Sequence, residues 1–149
     1  MKEITYDTIV SEVATLCMEA NFYLSADVVT ALETAKAKET EEMAQEILGL
    51  LLDNAQVAAA EHIPMCQDTG VAVFFVRIGQ DCRIGGGNLN DAINEGGRRG
   101  YQDHFLRYSI VSDPLTRENT GDNTPAIIHV EIVAGDKLEI TMGAKGGGA

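Results

Sequence analysis

The N-terminal part of the chain carries apolar residues at the spacing of amphipathic helices. From about Thr5 to Phe22 they recur three or four positions apart, at Ile9, Val13, Leu16 and Ala20. Ser25 is a residue type that favours the N-cap position, which predicts a short second helix after it. The third predicted helix has the longest series of apolar residues at this spacing, and these include Met43, Ile47, Leu50, Leu51 and Val57. It should end near residues 61–63, because Pro64 disfavours helical geometry in the residue before it.

The pattern then changes to strands separated by turns. A run of strand formers predicts a strand at Val71–Ile78, and a turn and then the residues Cys82–Ile84 come after it. The glycine cluster that follows lacks the spacing of a P-loop or a dinucleotide fingerprint. It is interpreted as a loop before a helix, and Asn88 or Asn90 could cap that helix. Two more strands are predicted at Ala126–Val133 and Lys137–Met142, and the short turn between them is typical of a hairpin.

The order of these elements predicts the fold class. Several helices come first, and strands with one intervening helix follow, which is typical of a mixed α+β fold. No repeat, low-complexity block or linker divides the sequence, so residues 1–149 are interpreted as a single domain. The sequence stops at a glycine-rich segment directly after a predicted strand. We therefore expect the domain to be truncated at its C-terminus, with a glycine-rich tail as the alternative.

Charge and cysteine content narrow the classes of partner and compartment. The 149 residues include 23 acidic and 11 basic side chains, for a net charge of −12. This charge argues against nucleic acid or an anionic membrane as a partner, and no apolar run reaches the roughly 20 residues needed to cross a bilayer. The three cysteines, Cys17, Cys66 and Cys82, are an odd number without a CxxC pair. They indicate a reducing, cytoplasmic location rather than a disulfide framework.

Candidate chemistry is concentrated in the segment Pro64–Gly70, between the helical and the strand-rich parts. The Cys66 thiolate is a soft ligand suited to an iron–sulfur cluster or zinc, while Gln67, Asp68 and the following threonine can orient a polar molecule. The alternative interpretation is a loop with a buried thiol and an ordinary Asp/Thr turn. The choice stays open at this point, because a lone cysteine does not specify a metal.

Three other segments could meet the Cys66 loop in space: Arg107, Asn119–Thr124 and Lys145–Gly148. Each precedes or follows a predicted strand, so a sheet could hold them rigidly. Much of the positive charge of the chain lies near these segments, at Arg98, Arg99, Arg107, Arg117 and Lys145. Arginine binds carboxylates in bidentate fashion, and glycine amides offer further donors, so the combination suits a small di-acid. Any single arginine is more often solvated or held in a surface ion pair.

Taken in order, the four segments resemble one enzyme family. The motifs are PMCQDTG (64–70), LRYS (106–109), NTGDNTPA (119–126) and KGGG (145–148). Together they closely resemble class I fumarate hydratases and L(+)-tartrate dehydratases, in their α subunit or N-terminal domain. The resemblance implies an oxygen-sensitive [4Fe–4S] hydro-lyase in which three cysteines hold the cluster and an open iron acts as a Lewis acid.

The resemblance also implies roles for individual residues. Cys66 would be one cluster ligand, Gln67 and Asp68 would contact substrate, and Asp68 would assist proton transfer. Arg107 would clamp a substrate carboxylate, and the backbone of Gly146, Gly147 and Gly148 would line the site.

The sequence departs from the family pattern where it stops. In this family the other two cluster cysteines lie beyond the triglycine, so Cys17 and Cys82 are assigned roles in the core or a strand. Further substrate-binding residues are expected in a β subunit or C-terminal domain. We therefore expect a chain that contributes part of an active site, is inactive alone and self-associates, most simply as a dimer.

Two other functions remain open from the sequence. One is a non-catalytic assembly module in which the cysteine is structural. The other is a metal-free domain that binds a small anion through its glycine loops. The sequence does not choose between fumarate and tartrate as the substrate of a hydro-lyase.

Overall fold

The computed structural model describes residues 2–147, and these divide into two compact units. One unit comprises the described residues up to Ala20 together with those from Gln67 onward, and the other is Asn21–Cys66. The elements along the chain are β1 (Lys2–Thr5), α1 (Tyr6–Phe22), α2 (Ala26–Lys38), α3 (Glu42–Glu61), β2 (Val71–Gly79), β3 (Cys82–Gly85), α4 (Leu89–Asp103), β4 (Ile127–Val133) and β5 (Leu138–Lys145). This order confirms the mixed α+β class. No helix among these elements is long and apolar enough to span a membrane.

The main sheet of the first unit has three strands in the order β4-β2-β5. β2 is central, parallel to β4 and antiparallel to β5, with Phe75 opposite both His129 and Thr141. Side chains of β2 alternate between faces, so Phe74 and Val76 are buried whereas Phe75 is exposed. The apolar run after the Cys66 loop therefore forms the central strand, as its content of β-branched and aromatic residues favours.

The predicted hairpin between the last two strands is wrong. β4 and β5 do not pair with each other, because β2 lies between them and pairs with both as far as its C-terminal end. The turn that joins β4 to β5 instead closes around that end: the amide of Gly79 donates to Lys137 O at 2.8 Å, and the amide of Asp81 donates to Gly135 O at 2.9 Å. A Cβ on Gly79 would lie 2.2 Å from Gly135 O, so glycine permits this approach.

A second, two-stranded parallel sheet pairs β1 with β3 and brings Cys82 into register with Lys2. β1 was missing from the sequence prediction because it is only four residues long and runs directly into α1. Cys82 lies in β3 with its side chain partly exposed, which confirms its strand assignment.

Two glycines allow α4 to pack closely against α1. A Cβ on Gly96 would lie 2.6 Å from Val13 Cβ, and one on Gly100 would lie 2.7 Å from Cys17 Cβ. Cys17 is completely buried at this contact, and desolvation by burial raises the pKa of its thiol to about 12. Its assignment to the core is confirmed, and a thiol in this environment is a poor thiolate ligand.

The second unit consists mainly of α2 and α3. As predicted, Ser25 is the N-cap of α2, and α3 ends at Glu61. His62 then adopts the left-handed conformation (φ 53°), and its amide donates to Ala58 O. The loop before Cys66 is fixed within this unit, because the side-chain amide of Asn54 donates to Met65 O at 2.9 Å. One face of α3 exposes apolar side chains: Met43, Ile47, Leu50, Leu51 and Val57.

Candidate functional site

In the first unit, loops at the end of the main sheet surround one cavity of ≈ 390 Å³, called the loop cavity below. Its lining residues come from the start of β2, the segment after α4, the loop before β4 and the end of β5: Asp68, Gly70, Val71, Arg107, Tyr108, Ser109, Val111, Asn119, Lys145 and Gly147. Asp68, Arg107 and Gly147, three of the residues predicted for the site, thus lie on the same cavity.

The turn before β2 is tied to the glycine segment after β5 through the carboxylate of Asp68. Its Oδ1 accepts a hydrogen bond from the amide of Gly70 at 3.0 Å, and its Oδ2 accepts one from the amide of Gly147 at 3.2 Å. Gly70 has a positive φ of 64°, and a Cβ there would lie 2.2 Å from Lys145 O. Only glycine satisfies both the backbone conformation and this close approach. The carboxylate is therefore held at a fixed place on the cavity wall.

Thr69 fixes the backbone of Arg107 rather than facing a ligand. Its buried hydroxyl accepts a hydrogen bond from Arg107 N at 2.8 Å and donates one to Arg107 O at 3.1 Å. The Thr69 carbonyl in turn accepts from the buried Tyr101 hydroxyl at 2.8 Å. These contacts set the position of Arg107 relative to the neighbouring Asp68.

Asn123 joins three segments of the site, a role that the sequence did not reveal. It is buried in the left-handed conformation (φ 58°), and its side-chain amide donates to Gly70 O at 3.1 Å. Its Oδ1 accepts from Ser109 N at 2.6 Å and Ile110 N at 3.2 Å. The available signal was the residue type, since asparagine tolerates this conformation and is common in turns.

The loop around Asn119 has its own network of hydrogen bonds. The Asn119 side chain donates to Tyr108 O at 3.0 Å and accepts from Gly121 N at 2.8 Å. In addition, Thr120 N donates to Ile110 O at 3.0 Å. This segment is rich in turn-forming residues, and its hydrogen bonds hold it against the segment of Tyr108, which lines the cavity.

The positive charge of the loop cavity comes from Arg107 and Lys145. The guanidinium of Arg107 is exposed and makes no hydrogen bond or ion pair with any residue in the described part of the chain, whereas Lys145 Nζ donates to Gly146 O at 3.0 Å. Arg117, another predicted contributor, does not line the cavity. The side chain of Arg107 is therefore available to bind a ligand.

Arg98 and Arg99 are engaged in ion pairs on the surface of α4 instead. Arg98 Nε lies 2.9 Å from Asp122 Oδ2, and both arginines bind the carboxylate of Glu95. Burial raises the pKa of Asp122, but hydrogen bonds, chiefly from Arg98, outweigh it and bring the pKa below its ordinary value. The hydrogen bond from Arg99 is the main cause that lowers the pKa of Glu95. These two arginines are thus removed from the proposed set of anion-binding groups.

Two other predicted residues of the first unit, Gln67 and Gly146, are not among the residues that line the cavity. Cys66 is the last residue of the second unit and Gln67 the first after it, and both side chains are exposed. The interpretation of Cys66 as a buried thiol is therefore wrong. A Cβ on Gly146 would lie 3.1 Å from Asp68 Oδ2, which places this glycine beside the carboxylate. Gly148 lies outside the described residues.

Metal ligands do not converge in the part of the chain that the structure describes. No group of three His, Cys, Asp or Glu side chains there could hold a metal ion. A cluster that used Cys66 would need further ligands from elsewhere.

The described residues thus form a loop-built cavity lined by two cationic residues, Arg107 and Lys145, and one carboxylate, Asp68, a combination of groups that can accept a small anion. Comparison with known proteins gives the family. A family model described as Fumerase, fumarate hydratase, matches residues 10–149, and the chain belongs to this family.

Individual relatives agree with the family assignment. The chain is 35% identical to a putative L(+)-tartrate dehydratase subunit alpha of Methanocaldococcus jannaschii, over 92% of this chain and 50% of the relative. It is 40% identical to fumarate hydratase 2 of Leishmania major, over 66% of this chain and 18% of the relative. It is 38% identical to the anaerobic class I fumarate hydratase of Escherichia coli K12, over 66% of this chain and 18% of the relative. The chain thus spans half or less of the length of these relatives.

Proposed function

We propose that this chain supplies part of the active site of a hydro-lyase that reversibly adds water to a four-carbon dicarboxylate. The substrate pair would be fumarate and malate, or tartrate and oxaloacetate. The observation that carries the proposal is the loop cavity, where Arg107, Lys145 and Asp68 meet in a chain of the fumarate hydratase family. The names of the relatives, fumarate hydratase and L(+)-tartrate dehydratase, support this class of reaction.

Arg107 is proposed to bind a carboxylate of the substrate. Arg107 lines the cavity, its guanidinium has no partner among the described residues, and its backbone is held by Thr69. A planar guanidinium held in this way matches the two oxygens of a carboxylate. Lys145 adds a second positive charge on the same cavity, so a ligand with two carboxylates suits it better than a monoanion.

Asp68 is proposed to take part in proton transfer. Its two oxygens are oriented by the amides of Gly70 and Gly147, which fixes the carboxylate at the cavity wall. A positioned carboxylate within reach of substrate is a candidate general acid or base. Gln67 is proposed to contact substrate, and the backbone of Gly146, Gly147 and Gly148 to complete the wall.

Cys66 is proposed as one ligand of a [4Fe–4S] cluster. Its exposed thiol, in a loop rather than in the core, fits the requirement of a soft ligand that remains accessible. When bound, the cluster would supply a Lewis-acidic iron next to the substrate. Two further cysteine ligands are expected from a β subunit or C-terminal domain. The exposed apolar face of α3 supports the expectation that the assembly contains more than one copy or partner.

The test is substitution of Cys66 in the complete assembly, reconstituted anaerobically with the partner polypeptide. Cys66→Ser should abolish cluster absorbance and hydration of fumarate or dehydration of tartrate. Cys82→Ser, a partly exposed strand cysteine, is the matched control and should retain both. Full activity of Cys66→Ser would instead favour an assembly module with a structural cysteine.

A metal-free anion-binding domain is the second candidate. One observation supports it: the two cationic groups of the loop cavity, Arg107 and Lys145, both lie in this chain. Tight binding of fumarate or phosphate by iron-free chain, unchanged after iron is supplied, would support this function over the hydro-lyase.

A further inference from the structure

We propose that the hydroxyl of Ser109 is a ligand-binding group of the loop cavity and donates a hydrogen bond to a carboxylate oxygen of the bound ligand. This inference rests on the proposed function, because it takes the dicarboxylate as the ligand. It adds a residue whose chemistry neither the motifs nor the family resemblance assigned.

The first observation is an unsatisfied polar atom at the cavity. Ser109 lines the loop cavity, and its Oγ is buried without a hydrogen-bond partner among the residues that the structure describes. A buried hydroxyl without a partner destabilises a protein, so such groups are uncommon unless they serve a function. A ligand in the cavity would provide the missing partner.

The second observation is that the backbone at Ser109 cannot move away easily. The amides of Ser109 and Ile110 both donate to Asn123 Oδ1, at 2.6 and 3.2 Å. Two residues earlier, Arg107 is held through both its N and O by Thr69. The hydroxyl is therefore presented from a fixed stretch of chain, so it would meet a ligand by rotation about its own side-chain bond.

The third observation is the charge beside it. Arg107 and Lys145 line the same cavity, which selects an anionic ligand. A serine hydroxyl next to such a ligand acts best as a donor to an anionic oxygen, because charge-assisted hydrogen bonds are the stronger ones.

Other hydroxyls of this region are structural, and they differ from Ser109. The Thr69 hydroxyl makes two backbone hydrogen bonds, and Ser112 Oγ donates to Glu118 O at 3.1 Å. Removing a structural hydroxyl lowers stability. Removing the Ser109 hydroxyl should not, because no hydrogen bond within the described chain is lost.

The experiment compares Ser109→Ala with Ser112→Ala, an exposed serine of the same segment, in the full chain. Thermal unfolding reports stability. Binding of succinate and of malate is followed by tyrosine fluorescence, since the chain has no tryptophan and Tyr108 lines the cavity. Ser109→Ala should keep the wild-type Tm or exceed it, and it should weaken the binding of both ligands by about 10-fold. Ser112→Ala should leave both affinities unchanged.

Each other result overturns the inference in a recognisable way. A lower Tm for Ser109→Ala with unchanged affinities would make the hydroxyl structural and leave the proposed function intact. A loss of affinity for malate alone would assign the hydroxyl to the ligand's hydroxyl group rather than to a carboxylate. Absence of binding by the wild-type chain to either ligand would remove the proposed ligand of this cavity, and the inference with it.

Discussion

Substitution of Asn123 by alanine tests the architecture of the site most severely. The change removes the donor to Gly70 O and the acceptor for the amides of Ser109 and Ile110, all of which are partly or fully buried. Each lost hydrogen bond contributes about 1 kcal/mol. Alanine in the left-handed conformation of this position adds about 1 kcal/mol. We therefore expect the free energy of unfolding to fall by about 4 kcal/mol.

The assay is urea denaturation of the purified chain, with two matched variants. Asn123→Gly removes the same side chain but tolerates the positive φ, so it should be more stable than Asn123→Ala by about 1 kcal/mol. Asn90→Ala alters an exposed asparagine near the start of α4 and should change stability by less than about 0.5 kcal/mol. If Asn123→Ala lost no more than Asn90→Ala, the three segments would not depend on this side chain, and the description of the site would be wrong.

Three further outcomes follow from the packing and the charges. Gly70→Ala should unfold the chain or cost several kcal/mol, since its Cβ would lie 2.2 Å from a main-chain oxygen at a positive φ. Gly147→Ala, whose Cβ would have no contact within 4 Å among the described residues, should have a wild-type urea midpoint. The lowered pKa of Asp122 means that its ion pair stabilises the fold above the ordinary value of 3.8 and is lost as pH falls below it. Arg98→Gln should therefore flatten the acid side of the stability–pH curve, and an unchanged curve would contradict this pairing. The buried Cys17 thiol, with a pKa of about 12, should react with iodoacetamide only as the chain unfolds, and rapid alkylation in native buffer would contradict its burial.

Local patterns predicted the elements of the fold well, because they depend on nearby residues. The end of α3 followed from Pro64, and the N-cap of α2 followed from Ser25. The order of the strands in the sheet could not be predicted from the sequence. An alternating apolar pattern shows that a segment is a strand but not which strand lies beside it. The short turn at Gly135 suggested a hairpin, yet its carbonyl accepts a hydrogen bond from the amide of Asp81, in the turn that follows β2.

Three of the residues predicted for the site lie on the loop cavity, but the residues that hold them in place were not predicted. Asp68, Arg107 and Gly147 carry charge or a glycine in a motif, so their chemistry is visible in the sequence. Asn123 and Thr69 act through hydrogen bonds between distant segments, which only the tertiary structure creates.

The expectation that Arg98 and Arg99 add free positive charge near the site could have been corrected from the sequence. Glu95 precedes Arg98 and Arg99 by three and four residues in α4, the spacing of helical ion pairs. Counting arginines without this spacing overstated the positive charge that is available to a ligand.

The central claim is that the loop cavity binds a small dicarboxylate through Arg107. Its most direct test is an NMR titration of the isotope-labelled chain with succinate, following the backbone amides. We expect saturable shifts at Gly70, Arg107 and Gly147 that disappear in Arg107→Gln and persist in Arg117→Gln, a substitution outside the cavity. Shifts at other positions only, or shifts that are equal in the two variants, would contradict it.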